Sequence, residues 1–118
     1  MDLTHEAHGE VTVVHAVGDI NASSCAQLEQ TLASLIDQGR QRLVLDLSGV
    51  RYVSSAGLRV LLVIAKRLAP SGRFMLSRAA EPVRQVLDMT GFSGIIKVMP
   101  TVDDAVTASF MAAFYSAW

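Results

Sequence analysis

The segment Leu43 to Leu47, LVLDL, limits the possible folds more than any other stretch of this chain. It is aliphatic, of strand length, polar on its N-terminal side, and flanked by helix-patterned segments. A run of this kind fits a central strand covered on both faces, as in parallel sheets. On one side, GDINASSCAQLEQTLASLIDQG repeats Leu28, Leu32, Leu35 and Ile36 at helical spacing, with Gly39 as a natural stop. Ser24 with Gln27 reads as a capping box, with Asn21 or Ser23 as the other candidate caps. On the other side, a second helix is expected from about Ser55 to Leu68, stopped by Pro70 and Gly72. Its residues are apolar around most of its girth, which predicts a largely buried helix.

The remaining segments extend the alternation. Leu3 to His8 and Val11 to Val17 read as strands joined through Gly9-Glu10, a hairpin corner that glycine permits. Arg73 to Ser77 is a further strand, and Glu81-Pro82 opens a third helix with Val83, Val86 and Leu87 inward and Gly91 at its end. Ile95 to Met99 is expected as a short final strand. A last helix then starts near Pro100 or Thr101 and carries Val102, Val106, Phe110 and Phe114 at four-residue steps. The sequence therefore predicts a single α/β domain over residues 1–118, with a mixed, mostly parallel sheet, an N-terminal hairpin and about four helices. The segment 110–118 is an apolar extension whose Phe110, Phe114 and Trp118 share one face if the helix continues. Packing on the sheet is the expected role, and self-contact in a weak homodimer is the alternative.

Composition narrows the function. A net charge of −1 supplies no basic field for nucleic acid or an anionic membrane. The longest apolar run, around Val60 to Ala65, is far below bilayer length, and MDLTHEAHGE is too polar for a secretory signal. One cysteine, Cys25, suits a reducing compartment, so a cytoplasmic location is expected. Neither Gly-Lys-Ser/Thr nor GxGxxG occurs, and no cofactor is expected.

Three candidate sites can be weighed by geometry. His5 and His8 lie three apart in a strand, which sends them to opposite faces instead of to one metal, and Glu6 and His8 read as solvated. His15 has no acidic or cysteine partner nearby in sequence and reads as a core or edge residue. Cys25 falls in the first turn of a helix, where a thiol could be activated, but reads as a small hydrophobe. The corner VSSAG, Val53 to Gly57, differs in kind: Ser54, Ser55 and Gly57 stand between strand and helix. A nucleophile elbow would need glycine where Val53 stands. An N-terminal serine cap accounts for one hydroxyl, with Ser55 as the residue expected to cap. The same helix end can hold an added phosphate, and Arg59, four residues on, can reach it.

The stretch DLSGVRYVSSAGLRVLL and the later VRQVLDMTGFSGII resemble the STAS domain of bacterial anti-sigma factor antagonists. The order of elements agrees, and the resemblance covers roughly residues 3 to 109. GDINASS stands where that family usually has a G-[DE]-[LI]-D-x-x loop. The resemblance implies that Ser55 is the phosphorylated serine, with Ser54 the lesser candidate. The family's acidic residue before it is Ser54 here, and its first-loop aspartate is Asn21, while Asp19 matches the acidic position two earlier. Asp46 matches a polar position at the end of the central strand.

The function implied is partner switching without catalysis. The unphosphorylated domain binds an anti-sigma factor that is itself a serine kinase and releases its client. Phosphorylation of Ser55 ends the complex, and a PP2C-type phosphatase resets it. Asp19, Asn21, Ser23, Ser54, Ser55, Gly57 and Arg59 are the expected contact surface. Two other classes compete: STAS domains that serve as unphosphorylated scaffolds in transport assemblies, and a hydrolase, which the missing glycine argues against.

Overall fold

In the computed structural model, LVLDL is the middle of β3 (Arg42–Gly49), the central strand of five. The structure describes residues 1–69 and 73–116, with the side chains of the last helix as far as Ser109. The expected stop at Pro70 and Gly72 lies outside the described residues, as do Trp118 and the side chains of Phe110 and Phe114.

β1 (Asp2–His8) pairs antiparallel with β2 (Val11–Val17), and Gly9 takes a φ of 64° in the two-residue turn between them. β2, β3, β4 (Arg73–Ser77) and β5 (Val98–Met99) are parallel, so the sheet order follows the chain order. With sequential order and crossovers of one hand, the connecting helices must fall on one face. They do: α1 (Cys25–Asp37), α2 (Ser55–Leu68) and α3 (Glu81–Met89) cover Val14, Leu43, Leu45, Leu47 and Leu76. The opposite parity of the same strands, Val11, Val13, Val44 and Met75, is covered by α4 (Val102–Ser116) through Ala105, Val102 and Val106.

Local sequence accounts for most boundaries. α1 ends at Gly39, φ 92°, with Gly39 N–H donating to Ile36 O and Arg40 N–H to Leu35 O, the pair of bonds that closes a glycine-ended helix. Thr101 Oγ1 accepts from Asp104 N at 3.0 Å and caps α4.

Four expectations need correction. The final strand is only Val98–Met99, because Phe92–Gly94 turn as a 3-10 helix and leave Ile95 exposed while Ile96 is buried. α2 is less enclosed than its composition suggested: Leu58, Leu61, Ile64 and Leu68 are buried, but Val63 faces solvent beside Lys66 and Arg67. Ser24 and Gln27 form no capping box. Asn21 Oδ1 instead accepts from the Ser23 and Ser24 N–H groups, Ser24 Oγ donates to Asp19 O, and Gln27 reaches Met1 O. At α2 the capping serine is Ser54 and not Ser55.

Candidate functional site: the β3–α2 corner

β3 ends at Gly49, and the chain runs through Val53, which forms an isolated parallel bridge with Ile20 of the first loop. Two backbone bonds stitch the loops together: Ile20 N–H to Tyr52 O at 2.9 Å and Ser54 N–H to Ile20 O at 2.8 Å. The first loop therefore lies directly against the start of α2. Gly57 is what allows this approach. A Cβ there would stand 2.6 Å from Ile20 Cγ2 and 3.1 Å from both Ile20 O and Val53 Cγ1. Gly57 is buried and has no side chain to present, so its part at the corner is to admit Ile20.

The two serines divide the labour. Ser54 has extended backbone, φ −80° and ψ 171°, and its Oγ accepts the Gly57 N–H at 3.1 Å. That bond caps the helix, and Ser54 is half-buried. Ser55 is the first helical residue and is exposed. The first turn of α2 contains no acidic residue, and Arg59, one turn on, is exposed on the Ser55 side of the helix. Asp19 and Ser23 are exposed and Asn21 half-buried on the adjoining loop. The structure thus brings Asp19, Asn21, Ser23, Ser54, Ser55 and Arg59 to one end of the sheet. Tyr52, 53% exposed, is an apolar neighbour that the sequence did not single out. Its signal was available: an aromatic residue immediately before a polar corner.

A second polar constellation lies at the same end, on the face that α4 covers elsewhere. Asp46 is in register with His15 on β2 and with Ser77 on β4. His15 Nδ1 lies 2.6 Å from Asp46 Oδ2, and its Nε2 lies 2.8 Å from Glu6 Oε1 on β1. Arg78 grips Asp46 with two bonds, Nε to Oδ1 at 3.0 Å and Nη2 to Oδ2 at 2.5 Å. Ser48 adds its N–H and hydroxyl to the same carboxylate, both at 3.2 Å. Arg78 adopts a φ of 53°, a left-handed conformation that costs energy for a residue with a side chain. Its N–H donates to Met99 O, which fixes it there.

His15 has no acidic partner nearby in sequence, but the fold supplies two. Its carboxylates come from other strands, delivered by register and not by sequence proximity. Glu6, expected to be solvated, is one of them, and His8 lies 3.4 Å from it. Burial pushes the Asp46 carboxyl up, but the hydrogen bonds from Arg78, His15 and Ser48 outweigh it and hold the group below its ordinary value. Glu6 and then Asp46 raise His15, and Glu6 is lowered in return, chiefly by His15.

His5 does lie on the opposite face from His8, lining a cavity with Gln30, Thr31 and Ser34 of α1. Among the described residues, no group of three His, Cys, Asp or Glu side chains could hold a metal ion, and no helix is long and apolar enough to cross a membrane. Cys25 is half-buried and packs against the core.

Known proteins bear directly on this arrangement. The STAS domain family model matches residues 2–105. BtrV of Bordetella bronchiseptica, which carries the name of anti-sigma factor antagonist, is 37% identical over 92% of this chain and 94% of its own. The anti-sigma-F factor antagonist RsfB of Mycobacterium tuberculosis is 26% identical over 89% of this chain and 86% of its own. A crystal structure of an anti-sigma factor antagonist from Mycobacterium paratuberculosis superposes with a TM-score of 0.85 at 31% identity, covering 92% of both chains. With the sheet order, the glycine-admitted corner and these matches in agreement, the chain belongs to the STAS domain family, among its anti-sigma factor antagonists.

Proposed function

We propose that the unphosphorylated chain binds an anti-sigma factor that is also a serine kinase, that this frees the client sigma factor, and that phosphorylation of Ser55 ends the complex. A PP2C-type phosphatase restores the binding form. The chain acts as a binding module of the cytoplasm and a kinase substrate, not as an enzyme. One observation carries the choice of residue. Of the two corner hydroxyls, Ser54 caps the Gly57 N–H and is half-buried, while Ser55 stands in solvent.

The chemistry fits a switch. A phosphate on Ser55 brings about −1.5 to −2 charge to a helix N-terminus, which tolerates it, beside Arg59. The fold should survive, and the partner surface built for a neutral hydroxyl should not. Mass spectrometry of the Tyr52–Arg59 region, after incubation with ATP and a cognate anti-sigma factor serine kinase, tests the reading. Phosphate on Ser55 is expected. Phosphate on Ser54, or none, would move the chain to the scaffold class. Ser55→Asp should weaken partner binding by on the order of 2 kcal/mol, roughly 30-fold, while Ser55→Ala binds normally.

A further inference from the structure

His15, Asp46 and the charged groups that pair with them sit at the same strand ends that carry the corner. His15 precedes Gly18 by three residues, and Asp46 precedes Gly49 by three. Gly18 N–H donates to Gly49 O at 3.0 Å, so the two strand exits are tied immediately beyond the charged cluster. No slack exists at that tie: a Cβ on Gly49 would stand 2.9 Å from both Ala16 O and Val17 Cγ2. The next ties are Ile20 N–H to Tyr52 O and Ser54 N–H to Ile20 O, and Ser54 then caps α2. A continuous ladder therefore runs from His15 and Asp46 to the helix start that presents Ser55.

Of the four groups Glu6, His15, Asp46 and Arg78, the imidazole is the one whose charge changes near neutral pH. Both ring nitrogens of His15 face carboxylates, and a carboxylate only accepts. Both nitrogens can donate only when the imidazole is protonated. The groups facing it are Glu6 from β1, with His8 beyond it, Asp46 from β3, and Arg78 at the end of β4. α4 contributes exposed Asp103 and Asp104, which form no ion pair with His15 among the described residues. With His15 protonated, the charges of Glu6, Asp46, His15 and Arg78 cancel. Without the proton, one carboxylate confronts a ring lone pair at hydrogen-bond distance.

We propose that His15 is a positioning residue whose proton holds the first loop against the β3–α2 corner, so that the corner is tight at acidic to neutral pH and loosens as the proton leaves. The coupling of cluster to corner is a property of this chain alone. Only its consequence, pH-dependent partner binding, rests on the function proposed above.

The direction follows from linkage. A histidine raised by its neighbours contributes fully below its ordinary value of about 6.5, and the contribution is lost as pH rises through the raised value. Asp46, held low, contributes fully above its ordinary carboxylate value and loses that contribution only as pH falls below it, so the loosening belongs to the alkaline side.

The test uses the whole chain, labelled with nitrogen-15 and without a partner. Amide exchange of Gly18, Ile20 and Ser54 is measured from about pH 6 to about pH 8.5, corrected for the intrinsic rate, alongside the His15 ring titration. Protection at these three amides should fall several-fold, with a midpoint that tracks His15. In His15→Gln it should be flat across the range. In Glu6→Gln, whose exposed site should not threaten folding, the midpoint should move to lower pH. Constant protection while His15 titrates, the same fall in His15→Gln, or an unmoved midpoint in Glu6→Gln would each overturn the proposal. A silent partner assay beside a pH-dependent corner would instead count against the proposed function alone.

Discussion

At the carboxyl end of the sheet, Ser55 stands in solvent at a helix start with no acidic residue in its turn. Asp46, nine residues earlier, is 2% exposed and accepts from Arg78, His15 and Ser48. One region keeps a neutral hydroxyl accessible, and the other gathers charged and polar side chains onto one buried carboxylate. The contrast separates two uses of polarity. An exposed hydroxyl stays reachable and unengaged, whereas a buried charge that holds strands must be satisfied, because burial penalises any vacancy.

The largest effect expected from breaking this contrast is at Asp46. Asp46→Ala removes the shared acceptor of Arg78 and His15 and should cost about 3 kcal/mol, read as a lower urea midpoint with unchanged slope. A cost within about 0.5 kcal/mol would mean that the cluster holds nothing. Gly57→Ala comes next. Its methyl has to displace Ile20, so a loss of about 1–3 kcal/mol is expected, with the first-loop amides shifted in NMR spectra. The smallest effects sharpen the comparison inside the corner itself. Ser54→Ala should cost about 1 kcal/mol for the lost cap, and Ser55→Ala should stay within about 0.5 kcal/mol of the parent in thermal melts. Equal losses at the two serines would erase the division of labour between them.

Much of this was legible in the sequence because periodicity is local. Leu28, Leu32 and Leu35 face the core as their spacing required, and Gly39 and Gly91 stop helices where expected. The corner was legible as a strand-to-helix junction of small residues, though which serine caps it depends on a single residue of helix phase. The charged cluster was not legible from proximity. His15 and Asp46 are 31 apart in sequence, and Asp46 and Arg78 are 32 apart. Parallel register brings them together, and register is a property of the folded sheet. A signal did exist: VTVVHAV and LVLDL each hold one ionisable residue in an otherwise apolar, buried strand. A buried charge requires a partner, so two such strands predicted to be neighbours suggest each other's residue. The shortened last strand was missed for a different reason: Ile95, Ile96 and Val98 have strand propensity, but the Phe92–Gly94 turn sends Ile95 outward.

The sequential strand order also sets a schedule. Each of the first three helices connects strands it covers, but Val11, Val13, Val44 and Met75 are covered by α4, the last of the described elements. During synthesis, a growing chain is expected to show that apolar strip to its surroundings until α4 has been made. The hairpin made first is thus the surface finished last. The nascent form should be the state of this protein most prone to chaperone capture and self-association.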